Sequence, residues 1–161
     1  MAARQIISTT IPGVITWELS AFRDDRGWLV ELFRRDELPA TFRVAMSYVS
    51  MTKPGVTRGP HEHREQSDYF CFIGPSDFQV FLWDNRKGAV GYRSCEKIVA
   101  GESRPIAMII PSGVVHAYKN IGNVEGWVFN APDQLYAGEK KMQPVDEIRW
   151  ESDPESPFKV E

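Results

Sequence analysis

Apolar and polar positions along this chain alternate over short stretches and never settle into a helical period. β-rich runs at Gln5 to Thr10 and Val14 to Leu19 are separated by Pro12-Gly13, a turn dipeptide. Asp24-Asp25-Arg26-Gly27 predicts a second turn, and Trp28 to Phe33 a strand that carries the charged Glu31 inside an apolar run. Arg34 to Ala40 reads as a single helical turn or a loop. Phe42 to Thr52, rich in Val, Tyr, Ser and Thr, predicts a strand. Val56 to His63, Ser67 to Ile73 and Phe78 to Trp83 follow, divided by polar residues 64–66 and by Gly74-Pro75. Tyr92 to Val99, Ala107 to Ile110, Val114 to Lys119 and Gly126 to Asn130 continue the pattern. Beyond Ala131 the chain turns polar and Pro-rich, with one late anchor at Ile148 to Trp150 and a last stretch that reads as a loose tail.

About ten to twelve short strands, with turn signals roughly every 8 to 12 residues and no internal repeat, predict an all-β antiparallel barrel or double-sheet jelly roll. A chain of 161 residues is long enough for one buried core and short for two. One domain over residues 1–161 is therefore expected, with its core at 14–136 and a polar C-terminal segment at 137–161. A closed barrel also supplies a cavity.

Composition changes this picture mainly by exclusion. A net charge of -3 makes no electrostatic case for nucleic acid or an anionic membrane as partner. No apolar run of about 18 residues is present to span a bilayer. The first ten residues lack the apolar core of a secretory signal, so a cytoplasmic location is expected. Cys71 and Cys95 lack metal-type spacing and read as reduced packing residues.

The chemistry concentrates in two stretches. All three histidines, His61, His63 and His116, lie in Gly55 to His63 or in Pro111 to Asn120. Side chains two apart in a strand share a face, so His61 and His63 point the same way, and His116 joins them if its strand lies alongside. Arg58 sits in the same strand. Burying it unpaired would be costly, so it either pairs with a carboxylate or faces an anionic ligand.

Gly55, His61 and His63 resemble the first cupin motif. Pro111, Gly113, His116 and Asn120 match the second, P-x-G-x-x-H-x-x-x-N, at every spaced position. A narrower resemblance covers nearly the whole chain: F-x-D-D-R-G-W-x-x-E-x-F at Phe22 to Phe33, G-V-x-R-G-x-H at Gly55 to His61, D-x-R at Asp84 to Arg86, and I-P-x-G-x-x-H ending at His116. It is similar to the dTDP-4-dehydrorhamnose 3,5-epimerase family. The resemblance implies a cupin double-stranded β-helix, a homodimer, and action without a cofactor on a small-molecule nucleotide sugar, a dTDP-4-keto-6-deoxysugar or a relative. That chemistry removes a proton beside the ketone and returns one to the opposite face, which needs a base, a group to steady the enolate, and an acid. By the resemblance His61 is the base and Arg58 binds anionic oxygen. Arg26 and Glu31 help hold the nucleotide, often across the dimer, unless they simply pair with each other. His63, His116 and Phe129 are expected at the substrate.

Departures from the family pattern are as informative as the matches. The family's tyrosine acid aligns with Phe129, which carries no ionisable proton; Tyr118 and Tyr136 are the candidates to replace it. The family's lysine falls near Ser67 or Asp68, the aspartate that pairs with the base near Gln143 and close to Asp146, and the nucleotide-reading positions near Met46 and Tyr48. These departures point to an altered or lost 3,5-epimerase activity. His63 is a gain in the other direction, restoring with His61 and His116 the three-histidine set of metal-binding cupins. Imidazoles suit a divalent transition metal and leave positions open for water or substrate. Asp68 stands near the place of the usual fourth ligand, as do Gln66 and Glu65 after a local shift, although Asp68 reads first as a solvated loop end. Two alternatives to the epimerase therefore stand: a metal-dependent cupin enzyme, and a cupin that binds a sugar nucleotide without catalysis.

Overall fold

A computed structural model describes residues 6–161, so Gln5, where the first run was expected to begin, lies outside the described residues. Thirteen strands follow one another among the described residues: β1 (Ile6–Ile7), β2 (Ile15–Glu18), β3 (Ala21–Asp24), β4 (Gly27–Val30), β5 (Tyr48–Thr52), β6 (Thr57–Glu62), β7 (Asp68–Phe72), β8 (Asp77–Asp84), β9 (Cys95–Gly101), β10 (Ile106–Ile110), β11 (Val114–Asn120), β12 (Gly126–Asn130) and β13 (Ile148–Arg149). Two antiparallel sheets carry them, one ordered β1-β2-β10-β7-β12-β5 and the other β13-β6-β11-β8-β9, with β3 and β4 paired only to each other. This is the jelly roll of the cupin fold.

The alternation along each strand sorts its side chains between two apolar layers. Phe70, Phe72, Phe78, Val80, Leu82, Met108, Val114 and Val128 come from both sheets and form the core between them. Tyr69, Cys71, Ala107, Ile109 and Phe129 point to the other side of the six-stranded sheet, where Leu32, Phe33, Phe42 and Val44 cover them. The β7 and β10 strands are thus buried at every position, which explains why they read as continuous apolar runs rather than alternating ones.

The covering segment accounts for two differences from the sequence expectation. Of Phe42 to Thr52, only Tyr48–Thr52 pairs as a strand; Phe42 and Val44 instead pack on the outer layer, and the Ala45 amide bonds to the Pro132 carbonyl. The β4 strand stops at Val30 because Leu32 and Phe33 turn onto the same layer. The β3–β4 hairpin is left facing solvent, with Phe22, Trp28 and Leu29 at 61%, 53% and 62% exposure. Residues 89–94 form tight turns, so β9 begins only at Cys95. Both cysteines are free, as expected, but Cys95 is exposed and is no packing residue; only Cys71 is buried.

The C-terminus also differs from a loose tail. Phe158 packs against Trp83 and Trp150, Ser156 is buried, and the Trp150 indole donates to Glu62. This apolar cap covers the outer face of the five-stranded sheet at β6 and β8, while Cys95, Lys97 and Val99 on β9 stay exposed.

Candidate active site

A cavity of about 1420 Å³ opens between the sheets at the end where β6, β7 and β11 meet. His61 and Arg58 on β6 line it together with His63, Asp68, Tyr118 and Asn130. The outer wall comes from residues 132–147, including Tyr136, Lys140 and Lys141.

Strict alternation would place Arg58 and His61, three residues apart, on opposite faces of β6. The pairing with β11 shows otherwise. His61 is the register partner of His116 and Arg58 that of Tyr118, so three steps on β6 span two on β11. The extra residue is a β-bulge at Gly59-Pro60, and it turns both side chains to the cavity. Gly59 has φ +81°, and a Cβ there would lie 2.6 Å from the His116 carbonyl oxygen. Only glycine fits both the dihedral and the close approach.

Asp68 enters from the facing sheet as the first residue of β7 and is almost fully buried. Its Oδ1 accepts from the Gln66 amide at 2.8 Å. Its Oδ2 lies 3.0 Å from His63 Nε2 and 3.2 Å from His116 Nε2. Burial pushes the Asp68 carboxyl up, but the imidazoles of His116 and His63 outweigh it and hold the group well below the usual carboxylate range. Burial opposes the charged form of His63, yet Asp68 and the Asp146 carbonyl raise it to about 9. For His61, burial and then the neighbouring His116 push the ring down to about 2, so it is neutral at any physiological pH. The His61 and His116 rings are 4.4 Å apart between centroids.

The donor set suits a metal ion. Donor atoms of His61, His63, Asp68 and His116 all lie within 4.8 Å of one another, and Asp68 Oδ2 and His116 Nε2 are buried without a hydrogen bond.

The structure brings together His61, Arg58, His63 and Asp68 at the cavity with His116 directly behind them, and places Phe129, Arg26 and Glu31 elsewhere. His116 is 2% exposed and does not line the cavity; it stands behind His61 and Asp68. Phe129 points to the outer layer, because the inward positions of β12 are Val128 and Asn130. Arg26 is an exposed hairpin residue paired with Asp24, and Glu31 lies 3.6 Å from Arg34, so the two neither pair with each other nor line this cavity. Arg58 is exposed, not buried as its place in the strand led us to expect, and has no carboxylate partner among the described residues; it bonds to Thr52 Oγ1 at 2.9 Å and the Met51 carbonyl at 2.7 Å, with its charge open to solvent and to an anionic guest.

Sequence reasoning did not single out Tyr48, Ser50 or Asn130 as a group. All three lie on the six-stranded sheet and line the cavity opposite β6, and the Ser50 hydroxyl meets that of Tyr118 at 2.9 Å. Burial, followed by the nearby Asp68 carboxylate, raises the Tyr48 phenol, so it stays protonated. Asp146 is likewise more than a neighbour of Gln143. Its carboxylate accepts three backbone N–H bonds, from Arg64, Glu65 and Gln66, each at 2.9 Å, and its carbonyl accepts from His63 Nδ1.

That arrangement carries a pH expectation. Burial raises the Asp146 carboxyl, but the three N–H donors prevail and hold it below its ordinary value of 3.8. A depressed carboxyl stabilises the fold fully above its unfolded pKa and loses that contribution as pH falls through the folded one. The 64–66 loop should therefore loosen only below about pH 4. Amide shifts of Arg64, Glu65 and Gln66 followed by NMR in acid check this, and Asp146→Asn should show the loosened shifts already at neutral pH.

Comparison with known proteins bears on what such a site belongs to. The dTDP-4-dehydrorhamnose 3,5-epimerase family matches residues 8–155. The probable low-salt glycan biosynthesis epimerase Agl13 of Haloferax volcanii is 36% identical over 121 residues, 74% of this chain and 76% of that protein. The spore coat polysaccharide biosynthesis protein SpsL of Bacillus subtilis is 34% identical over 112 residues, 70% of this chain and 73% of that one. Among solved structures, the dTDP sugar isomerase of Desulfovibrio desulfuricans G20 shares the fold with a TM-score of 0.81 at 18% identity, covering 92% of this chain and 91% of that chain. ChmJ, a 3'-monoepimerase from Streptomyces bikiniensis in complex with dTDP-quinovose, does so at 0.75 and 21% identity, covering 88% and 71%. With a match over nearly its full length and two relatives aligned across most of theirs, this chain belongs to the dTDP-4-dehydrorhamnose 3,5-epimerase family of the cupin superfamily.

Proposed function

We propose that the protein is an epimerase of a nucleotide-linked 4-keto-6-deoxysugar. The observation that carries this is the shared cavity face of His61 and Arg58, a neutral base on the same side as a solvent-accessible arginine that has no carboxylate partner among the described residues. Small-molecule sites commonly run to about 300–1,000 Å³. A cavity of about 1420 Å³ suits a longer guest, a sugar together with its diphosphate and nucleoside.

In this reading His61 takes the proton from the carbon beside the ketone, and the electron pair moves onto the ketone oxygen as an enolate. A base depressed to about 2 accepts protons weakly; the negative charge developing beside it raises its basicity during the step. Arg58 holds anionic oxygen of the enolate or the diphosphate. Lys140 and Lys141 stand on the outer wall beside the carboxylates Glu139 and Glu147, and are the lysines within reach of a diphosphate there.

Inversion requires a proton from the other side of the ring. Tyr48, on the sheet facing His61, takes that role in place of Phe129, and its protonated phenol returns a proton to the carbon as the enolate collapses. Tyr48→Phe should then uncouple two readouts. Wash-in of solvent deuterium at the carbon beside the ketone should persist, while net inversion slows by roughly 10²-fold. Equal loss of both would remove Tyr48 from this role.

The reading assigns the whole chain to one cupin unit in the cytoplasm. It also assigns the exposed β3–β4 hairpin to a homodimer contact that carries Arg26 and Glu31 towards the nucleotide in the second copy. The direct test is incubation with a dTDP-4-keto-6-deoxysugar in heavy water, read by mass spectrometry. Deuterium at one or both carbons beside the ketone is expected. Binding of the sugar nucleotide with no deuterium uptake would favour the non-catalytic alternative.

A further inference from the structure

The inner end of the cavity carries a hydroxyl chain whose last hydrogen the fold does not use. Tyr118 on β11 is 4% exposed, and Phe70, Phe72 and Phe78 meet its ring edge-on at 5.9, 5.5 and 5.6 Å between centroids. Its hydroxyl reaches Ser50 on the facing sheet at 2.9 Å. Asn130 Nδ2 donates to the Val128 carbonyl at 2.8 Å, which fixes the nitrogen end of that amide, and its second N–H points at Ser50 Oγ at 3.4 Å. Two hydroxyls bring two hydrogens, and the bond between them uses one. The other has no acceptor among the described residues. Taken from Asn130 through Ser50 to Tyr118, each group polarises the next, and the spare hydrogen lies on the phenol at the cavity surface.

We infer that Tyr118 donates this hydrogen bond to the ketone oxygen of the sugar and holds the enolate that forms there. The inference rests on the epimerase reading, in which His61 is the base. His116 is the register partner of His61, and the Phe70 ring contacts both His116 and Tyr118, so these two side chains of β11 point inward together. Two residues along a strand span about 6.6 Å. A base about 3 Å from one carbon and a donor about 3 Å from the oxygen on the next carbon stand a comparable distance apart. As His61 takes the proton, the C–H electron pair becomes the second bond between the two carbons and the carbonyl π pair moves onto oxygen. Tyr118 keeps its own proton and shares it with that oxygen through the hydrogen bond.

The surroundings suit this role better than that of the replacement acid expected of Tyr118. Burial outweighs the Ser50 hydrogen bond and the nearby Arg58 and raises the Tyr118 phenol, so it stays protonated. Arg58 stands alongside. Its Nε bonds to Thr52 Oγ1 while Tyr118 bonds to Ser50, and those two residues of β5, two apart, share a face. A neutral donor and a cation thus border one strip of the cavity, and both favour negative charge as it develops on a guest oxygen. Tyr118 serves the oxygen, whereas Tyr48 in this reading serves the carbon.

Tyr118→Phe keeps the ring and its three aromatic contacts and removes only the hydroxyl. With a dTDP-4-keto-6-deoxysugar in heavy water, kcat for deuterium uptake beside the ketone should fall by roughly 10²- to 10³-fold, the usual cost of losing one oxyanion donor. KM should stay within about threefold of wild type, because the bond strengthens in the transition state. Ser50→Ala leaves the phenol its hydrogen and should cost less than about tenfold, through lost polarisation alone. A second readout needs no turnover. The carbonyl stretch of the bound sugar nucleotide, labelled with ¹³C at the ketone and followed by difference infrared, should lie at lower frequency in wild type than in Tyr118→Phe. A folded Tyr118→Phe within about threefold of wild-type uptake, a loss that falls only on KM, or an unmoved carbonyl band overturns the assignment. A greater loss in Ser50→Ala than in Tyr118→Phe overturns it in favour of Ser50. Wild-type protein that lowers the carbonyl frequency through Tyr118 yet takes up no deuterium overturns the epimerase reading instead, and failure to bind the sugar nucleotide overturns both.

Discussion

His61→Asn should lower solvent exchange at the carbons beside the ketone by roughly 10³-fold, within the range that a positioned general base contributes. The reason is geometric before it is electrostatic. His61 is brought to the inner face of β6 by the bulge, opposite His116 in register, with its ring at the cavity surface. No other neutral imidazole lines that cavity, because His63 is held in its charged form by Asp68 and His116 stands behind. Asn removes the base and keeps a polar side chain of smaller size. Thermal stability should change little, since His61 makes no side-chain hydrogen bond among the described residues. Sugar-nucleotide affinity, carried in this reading by Arg58 and the mouth lysines, should stay within a few-fold of wild type. Exchange in the variant within a factor of about three of wild type would end the assignment of His61 as base. A collapse in melting temperature would instead show that His61 acts through packing.

Gly59→Ala should destabilise the protein by about 3 kcal/mol and impair the site along with the fold. Two costs add. A φ of +81° is strained for any residue with a Cβ, at about 1–2 kcal/mol. The new methyl would also stand 2.6 Å from the His116 carbonyl oxygen and 3.1 Å from the His61 backbone nitrogen, atoms that belong to backbone and have little room to move. At this chain length such a loss corresponds to a fall of roughly 6–12 °C in melting temperature. Gly55→Ala is the internal control. Its φ is +74°, but a Cβ there meets nothing within 4 Å, so it should show the dihedral cost alone. A Gly59→Ala variant no less stable than Gly55→Ala would show that the bulge tolerates a side chain and that its close approach to β11 is not what sets the register. If the larger loss is seen, exchange activity should fall with it, because the bulge is what turns Arg58 and His61 to the same side.

Much of this protein follows from local chemistry in the chain. Turn dipeptides such as Pro12-Gly13 and Gly74-Pro75 and short β-rich runs mark the strands, because turn preference and two-residue alternation act over a few neighbouring residues. The gathering of His61, His63 and His116 was legible for the same reason: two sit in one strand and the third in a motif of matching spacing. What the tertiary structure decided are the relations between distant residues. Alternation alone sets Arg58 and His61 on opposite faces, and only the register against β11 shows the inserted residue that reverses this. Alternation likewise cannot say which face of β12 is inner, so Phe129 was expected at the cavity although Asn130 lines it and Phe129 packs on the outer layer. The convergence of Asp68 with His116, the approach of Tyr48 from the facing sheet, and the wall formed by residues 132–147 join parts of the chain that share no local pattern. A cavity belongs to the pairing of strands, and a single strand's sequence constrains its own pleat far more tightly than it constrains its neighbours.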